Sequence, residues 1–185
     1  LIELSHYYQG VRQIFTGFES EMKTPNTEIY KYEIPGGQYS NLLAQVKAMG
    51  SADQFEEIKH LYKDANDLLG NIVKVTPSSK VVGDMAIFMS KNGLTKDNIM
   101  TEGAEVSYPD SVVDYFLGNI GQPEGGFPAD LQKIVLKGQK PIEGRAGALL
   151  PPADWEAIEK HLHEAHALKK VNPRNVLSYA LYPKV

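Results

Sequence analysis

The sequence predicts a mainly α, irregular multi-helix domain with at most one or two short strands. Three observations lead there. Apolar residues recur at helical spacing in most segments, Gly or Pro follows most of those runs, and period-two alternation occurs only over residues 28–34. The 185 residues, 42% hydrophobic and 23% charged, suffice for one domain with a real core.

Residues 4–20 read as a helix. Ser5 is placed to cap it, and Tyr8, Val11, Ile14, Phe15 and Phe18 form an apolar stripe; residues 22–26, with Pro25, break it. Over 28–34, Ile29, Lys31 and Glu33 alternate with Tyr30, Tyr32 and Ile34, the pattern of a short strand or extended arm, and Pro35-Gly36-Gly37 makes a sharp turn. A helix over 39–49 carries Leu42, Leu43, Val46 and Met49 and stops at Gly50. A longer amphipathic helix over 53–69 carries Phe55, Ile58, Leu61, Tyr62 and Leu69 and stops at Gly70. The strongly apolar run 80–89 is a third helix, in which Met85 and Met89 belong to the core. Short helices are predicted over 96–100, 112–117 and 129–136, a loop over 138–152, a long helix over 154–168 and a short one over 174–181. No internal repeat or low-complexity tract is present.

A net charge of −4 without a basic block argues against nucleic-acid binding, which needs clustered Lys and Arg. No apolar run reaches the ~18 residues of a membrane span. The absence of Cys excludes disulfides and thiolate metal sites and fits a reducing, cytoplasmic setting. No metal site is expected from His161, His163 and His166. The first two point to nearly opposite sides of a helix, and the His-Glu-x-x-His spacing is missing. Gly36-Gly37 and Gly125-Gly126 do not match a phosphate loop, and Glu56-Glu57 reads as a solvated flank. The ten Tyr are too scattered to form a base-stacking platform.

The stretch that carries chemistry is 74–86, Lys-Val-Thr-Pro-Ser-Ser-Lys-Val-Val-Gly-Asp-Met-Ala. Pro77 pushes Thr76 towards extended backbone, and Ser78 or Ser79 is a natural N-cap for the helix that follows. Three hydroxyls and the Lys80 ammonium therefore gather at a helix N-terminus, where free N–H groups and a positive field suit an oxygen-rich or anionic ligand. Plain helix capping is the alternative.

That stretch is joined, in order, by Tyr-Glu-Ile-Pro-Gly-Gly-Gln-Tyr-Ser-Asn-Leu at 32–42, Tyr-Pro-Asp-Ser-Val-Val at 108–113 with Gly-Asn-Ile-Gly-Gln-Pro at 118–123, and Val-Leu-Ser-Tyr-Ala-Leu-Tyr-Pro-Lys-Val at 176–185. Together these resemble the C-terminal, post-barrel part of the carboxyltransferase domain of the pyruvate carboxylases. Oxaloacetate decarboxylase α subunits and the pyruvate-specific transcarboxylase subunit are similar, but tend to have Gln where this chain has Lys80. They also lack counterparts of the helix at Asp154-Trp155 and of the closing Tyr182-Pro183-Lys184-Val185.

The resemblance implies a helical funnel capping a TIM barrel, with residues 1–27 as the last barrel helix and exit and 28–185 as the post-barrel domain. It implies a biotin-dependent ligase in which carboxybiotin enters the barrel mouth and its CO2 passes to pyruvate, giving oxaloacetate. Thr76 matches the proton relay between biotin and pyruvate. Ser79 and Lys80 match residues lining the biotin pocket, and Gln38 matches a glutamine near the same mouth, unless it merely caps the helix from Tyr39. Biotin would be carried on a domain downstream of Val185. The divalent metal, a carboxylated lysine and the pyruvate-binding arginine would lie in a barrel upstream of Leu1, and ATP chemistry further upstream. The absence of a starting Met fits that expectation. The implied partners are the barrel and carrier domain of a homotetrameric parent, with pyruvate and oxaloacetate. Alone, this stretch is expected to be inactive or nearly so, and to self-associate through surface the barrel would cover. The rival expectation is a non-catalytic module docking a barrel, carrier domain or subunit of a related decarboxylase or transcarboxylase.

Overall fold

A computed structural model describes residues 1–19, 27–165 and 170–183. Among them the regular secondary structure is entirely helical, as the apolar spacing predicts. The chain divides into two compact units, Leu1–Arg145 and Ala146–Val185.

The first unit is built around α4 (Phe55–Leu68) and α5 (Ser78–Asn92), which pack on one another. α4 is amphipathic and buries Ile58, Leu61, Tyr62 and Ala65. α5 is apolar nearly all round and buries Val81, Val82, Met85, Ala86, Ile87, Phe88 and Met89, as a helix surrounded by others must. Met85 and Met89 are fully buried, the core role their four-residue spacing predicts. Around this pair lie α2 (Ile29–Tyr32) on α4, α3 (Gly36–Ala48) and α6 (Asp110–Leu117) on α5, and α7 (Ala129–Leu136) on α6. Each fully buried Leu, Val or Met contributes about 1.5–3 kcal/mol. α5 ends where Gly93 takes a left-handed φ of 64°, a conformation only glycine adopts without cost. In the second unit, α9 (Trp155–Ala165) packs on α10 (Pro173–Leu181), with α8 (Ala146–Leu149) ahead of them. Asp154 Oδ1 accepts from Ala157 N–H at 2.9 Å, and Asn172 and Asn175 form a reciprocal capping box around Pro173.

Several elements differ from expectation. The first helix, α1, is Ile2–Arg12, followed by a 3-10 turn at Thr16–Phe18. Thr16 Oγ1 donates back to the carbonyls of Arg12 and Gln13, which competes with continued helix. Leu1, not Ser5, is at its N-cap, without a side-chain bond. Residues 28–34 are not a strand: α2 is one helical turn closed by Glu33 at φ 59°. A lone extended segment has no neighbour for its N–H groups, whereas the turn gives Tyr32 and Glu33 the carbonyls of Glu28 and Ile29 at 2.8 and 2.9 Å. Tyr32 and Ile34 are nonetheless both buried. α3 starts at Gly36, inside the predicted sharp turn. Residues 96–100 are turns rather than helix: Asn98 accepts from Thr95 N–H and donates to Gly93 O, and a 3-10 turn follows at Glu102–Glu105. The predicted loop 138–152 contains α8, formed by Ala146, Ala148 and Leu149, good helix formers. The predicted break at 22–26, the end of the 154–168 helix with His166, and Lys184 and Val185 lie outside the described residues. Among the described residues, no helix is long and apolar enough to cross a membrane.

Candidate functional site

The loop from α4 to α5 presents Thr76 at the surface, two residues ahead of the helix, with a cis Thr76–Pro77 peptide. Three sets of contacts fix this loop. Tyr115 Oη, on α6, donates to Leu69 O at 2.6 Å, and burial pushes its phenol pKa upward. Lys74 Nζ is 3.0 Å from Glu33 Oε2 and Lys63 Nζ 3.3 Å from Glu33 Oε1. The hydrogen bonds from Lys74 and then Lys63 hold the Glu33 carboxyl below the usual carboxylate range. Ser78 Oγ accepts from Val75 N–H at 3.2 Å and reaches the carbonyls of Val73 and Val75 at 2.5 and 2.8 Å.

Ser78 therefore knots the loop and does not cap α5, and neither does Ser79; Pro77 holds the N-cap position with no side-chain bond. This corrects the capping expectation. Pro77 leaves the hydroxyls to other partners, and the Ser79 N–H is already taken by Val75 O at 2.7 Å.

The sequence-predicted residues do not all face the same way. Ser79 is buried, its carbonyl accepting from Tyr62 Oη at 3.4 Å. Thr76 and Lys80 are exposed. Lys80 pairs with Asp84 one turn along α5. Gln38 sits inside the first turn of α3, so it is not that helix's cap. Its side chain crosses to α5: a Cβ on Gly83 would lie only 2.5 Å from Gln38 Nε2. Gly83 shares a helix face with Ser79 and Lys80. Gln38, Ser79 and Lys80 are thus all associated with the first half of α5, with Thr76 on the strap leading into it.

Sequence reasoning missed two features. A cavity of about 560 Å³ opens beside the strap, lined by Val73, Val75 and Ser78, by Tyr115 of α6, and by Ile120 and Gln122. The motif at 118–123 is visible in the sequence, but its place in the wall of this cavity is not. The other is Asp84, which besides Lys80 accepts from Ser111 Oγ at 2.6 Å and Gln45 Nε2 at 3.3 Å. Elsewhere, Glu56, read as a solvated flank, is exposed but paired with Lys59 at 2.7 Å. The His161 ring lies 5.2 Å from that of Tyr179. Among the described residues, no group of three or more His, Cys, Asp or Glu could hold a metal ion.

The conserved carboxylase domain matches residues 29–185. Pyruvate carboxylase of Bacillus subtilis is 53% identical over 182 residues, 98% of this chain and 16% of that protein. The mitochondrial pyruvate carboxylase of Homo sapiens is 46% identical over 187 residues, 100% of this chain and 16% of that protein. Among solved structures, the carboxyl transferase domain from Rhizobium etli pyruvate carboxylase superposes with a TM-score of 0.91 at 43% identity. It covers 98% of this chain and 30% of that one. The same domain with oxamate and biotin gives the same values. The chain thus spans about a sixth of the length of these curated relatives. With a family match over most of its residues, the chain belongs to the conserved carboxylase domain family.

Proposed function

We propose that this chain is the post-barrel part of a biotin-dependent carboxyltransferase, in which a carboxyl group passes from biotin to pyruvate to give oxaloacetate. On this reading residues 1–27 end the catalytic barrel and 28–185 form the funnel over its mouth. Biotin arrives on a carrier domain, the divalent metal and ATP chemistry belong to other domains, and the parent is a cytoplasmic homotetramer. The observation that carries the proposal is the exposed hydroxyl of Thr76 and ammonium of Lys80 at the start of α5, within a chain 53% identical to one pyruvate carboxylase.

The residues present fit a ureido-bearing ring. Thr76 and Lys80 supply exposed donors, and the neighbouring cavity offers apolar wall from Val73, Val75 and Ile120. When bound, biotin supplies the carboxyl group and the nitrogen that accepts the pyruvate methyl proton. Thr76 relays that proton, because a hydroxyl donates and accepts at once. Its own pKa is too high for it to serve as a free base. Lys80 favours negative charge developing on the ureido oxygen. Ser79 fixes the turn from beneath, and Gln38 supplies an amide from α3.

The test uses the full-length polypeptide with Thr76→Ala, following oxaloacetate formation from pyruvate alongside bicarbonate-dependent ATP cleavage. Loss of the first with persistence of the second is the expected result. Persistence of both would make Thr76 a detail of the loop and favour a docking module that works through its exposed apolar residues.

A further inference from the structure

We propose that Asp84 is a positioning residue for Lys80, itself held by Ser111 and Gln45, so that the ammonium is presented rather than left to wander. This rests on Lys80 facing biotin, as proposed above.

The pair is poorly explained by helix stability. Lys80 is in the first turn of α5, where an ammonium opposes the helix dipole. Lysine preceding an acid by four residues is also the weaker order for such a pair. The two partners differ in exposure: the Lys80 side chain is 64% exposed and that of Asp84 only 11%. One is a solvent-facing cation and the other a nearly enclosed anion.

Three helices converge on that anion. Ser111 Oγ of α6 donates to Oδ2 at 2.6 Å, and Gln45 Nε2 of α3 donates to Oδ1 at 3.3 Å. Lys80 shares Oδ2 with Ser111. Asp84 therefore cannot follow Lys80 when the lysine moves. It also keeps two neutral donors if the ammonium turns to a ligand oxygen, so no bare carboxylate is left in a nearly closed site. A lysine stem loses much rotamer freedom when its head is fixed. Anchoring by Asp84 meets part of that loss before a ligand arrives. Ser111 belongs to the motif at 108–113.

The test is a double-mutant cycle in the full-length polypeptide. It reads biotin-dependent decarboxylation of oxaloacetate with free biotin, the reverse of the proposed transfer, together with thermal unfolding. Asp84→Asn is expected to raise the KM for biotin about tenfold with kcat within about twofold, the size of one charge-assisted hydrogen bond. Lys80→Gln should raise the KM by a similar factor and also lower kcat, since it removes the ammonium that meets the developing charge. In the Lys80→Gln background, Asp84→Asn should add no more than about twofold, since the partner it positions is gone. Ser111→Ala keeps every charge and should give a smaller rise that also vanishes in that background; it carries the cycle if Asp84→Asn fails to fold. Equal rises in both backgrounds, or no rise, would show Asp84 to be a packing residue and overturn the proposal alone. If Lys80→Gln leaves the KM unchanged, the assignment of Lys80 to biotin falls, and this proposal with it.

Discussion

At the scale of single residues, Gly83 separates stability from function. A Cβ there would meet Gln38 Nε2 at 2.5 Å and Leu42 Cδ1 at 3.5 Å. The amide is the free end of a flexible side chain and can swing away, and alanine is favoured over glycine inside a helix by about 1 kcal/mol. Gly83→Ala should therefore leave the thermal midpoint unchanged or slightly raised while displacing Gln38 from α5. If the Gln38 amide serves the site, biotin-dependent transfer should fall by up to about 10²-fold, the cost of misplacing a positioned group by about 1 Å. An unchanged rate would remove Gln38 from the site. The hydroxyls and ammonium of 76–80 were legible in the sequence because they sit together before an apolar run. The Gln38–Gly83 approach and the Ser111–Asp84 bond were not, since each joins residues on different helices that only packing brings together. Ser78 shows a subtler limit: residue type and position suggested a cap, but the hydroxyl found backbone partners in the preceding loop instead.

At the scale of elements, α2, α3 and α4 meet around a buried cation. The Lys59 side chain is 2% exposed, with Nζ 2.8 Å from Glu28 Oε2 and 2.7 Å from Glu56 Oε1. It stands 4.9, 5.8 and 5.6 Å from the ring centres of Tyr32, Tyr39 and Phe55. Burial works to lower its pKa, but the hydrogen bonds with Glu28 and Glu56 outweigh it, leaving the ammonium above its ordinary value. A lysine raised in this way contributes stability that is fully present at neutral pH and is lost only as pH rises through its folded value. Lys59→Met should destabilise the fold by about 1–3 kcal/mol, less than for a fully enclosed pair because both carboxylates are partly hydrated. Denaturant unfolding at pH 7 measures this, and wild-type stability in the variant would contradict it. The long helices were legible because their apolar period repeats several times. Apart from the early end of the first helix at Arg12, the failures were short: one turn at 29–32, turns at 96–100 and one turn at 146–149. In segments of that length a few local bonds outweigh periodicity: backbone bonds close the turn at 29–32, and the Asn98 side chain holds the turns at 96–100.

At the scale of the whole molecule, the mainly helical class was legible from composition and spacing, and the four ordered motifs pointed to the family that the match over 29–185 supports. Apolar residues such as Leu4, Tyr8, Ile14 and Phe18 are exposed, and the chain spans about a sixth of the length of its curated relatives. On the proposed reading, one hydroxyl on the α4–α5 strap moves a proton during carboxyl transfer. Thr76→Ser and Thr76→Val, side by side in the full-length polypeptide, test it most directly, with oxaloacetate formation read against ATP cleavage in the same samples. Serine keeps the hydroxyl and should stay within about tenfold of wild type, whereas valine keeps the shape alone and should lose about 10²–10⁴-fold, the worth of a positioned proton-transfer group. A valine variant as active as the serine one would contradict the account.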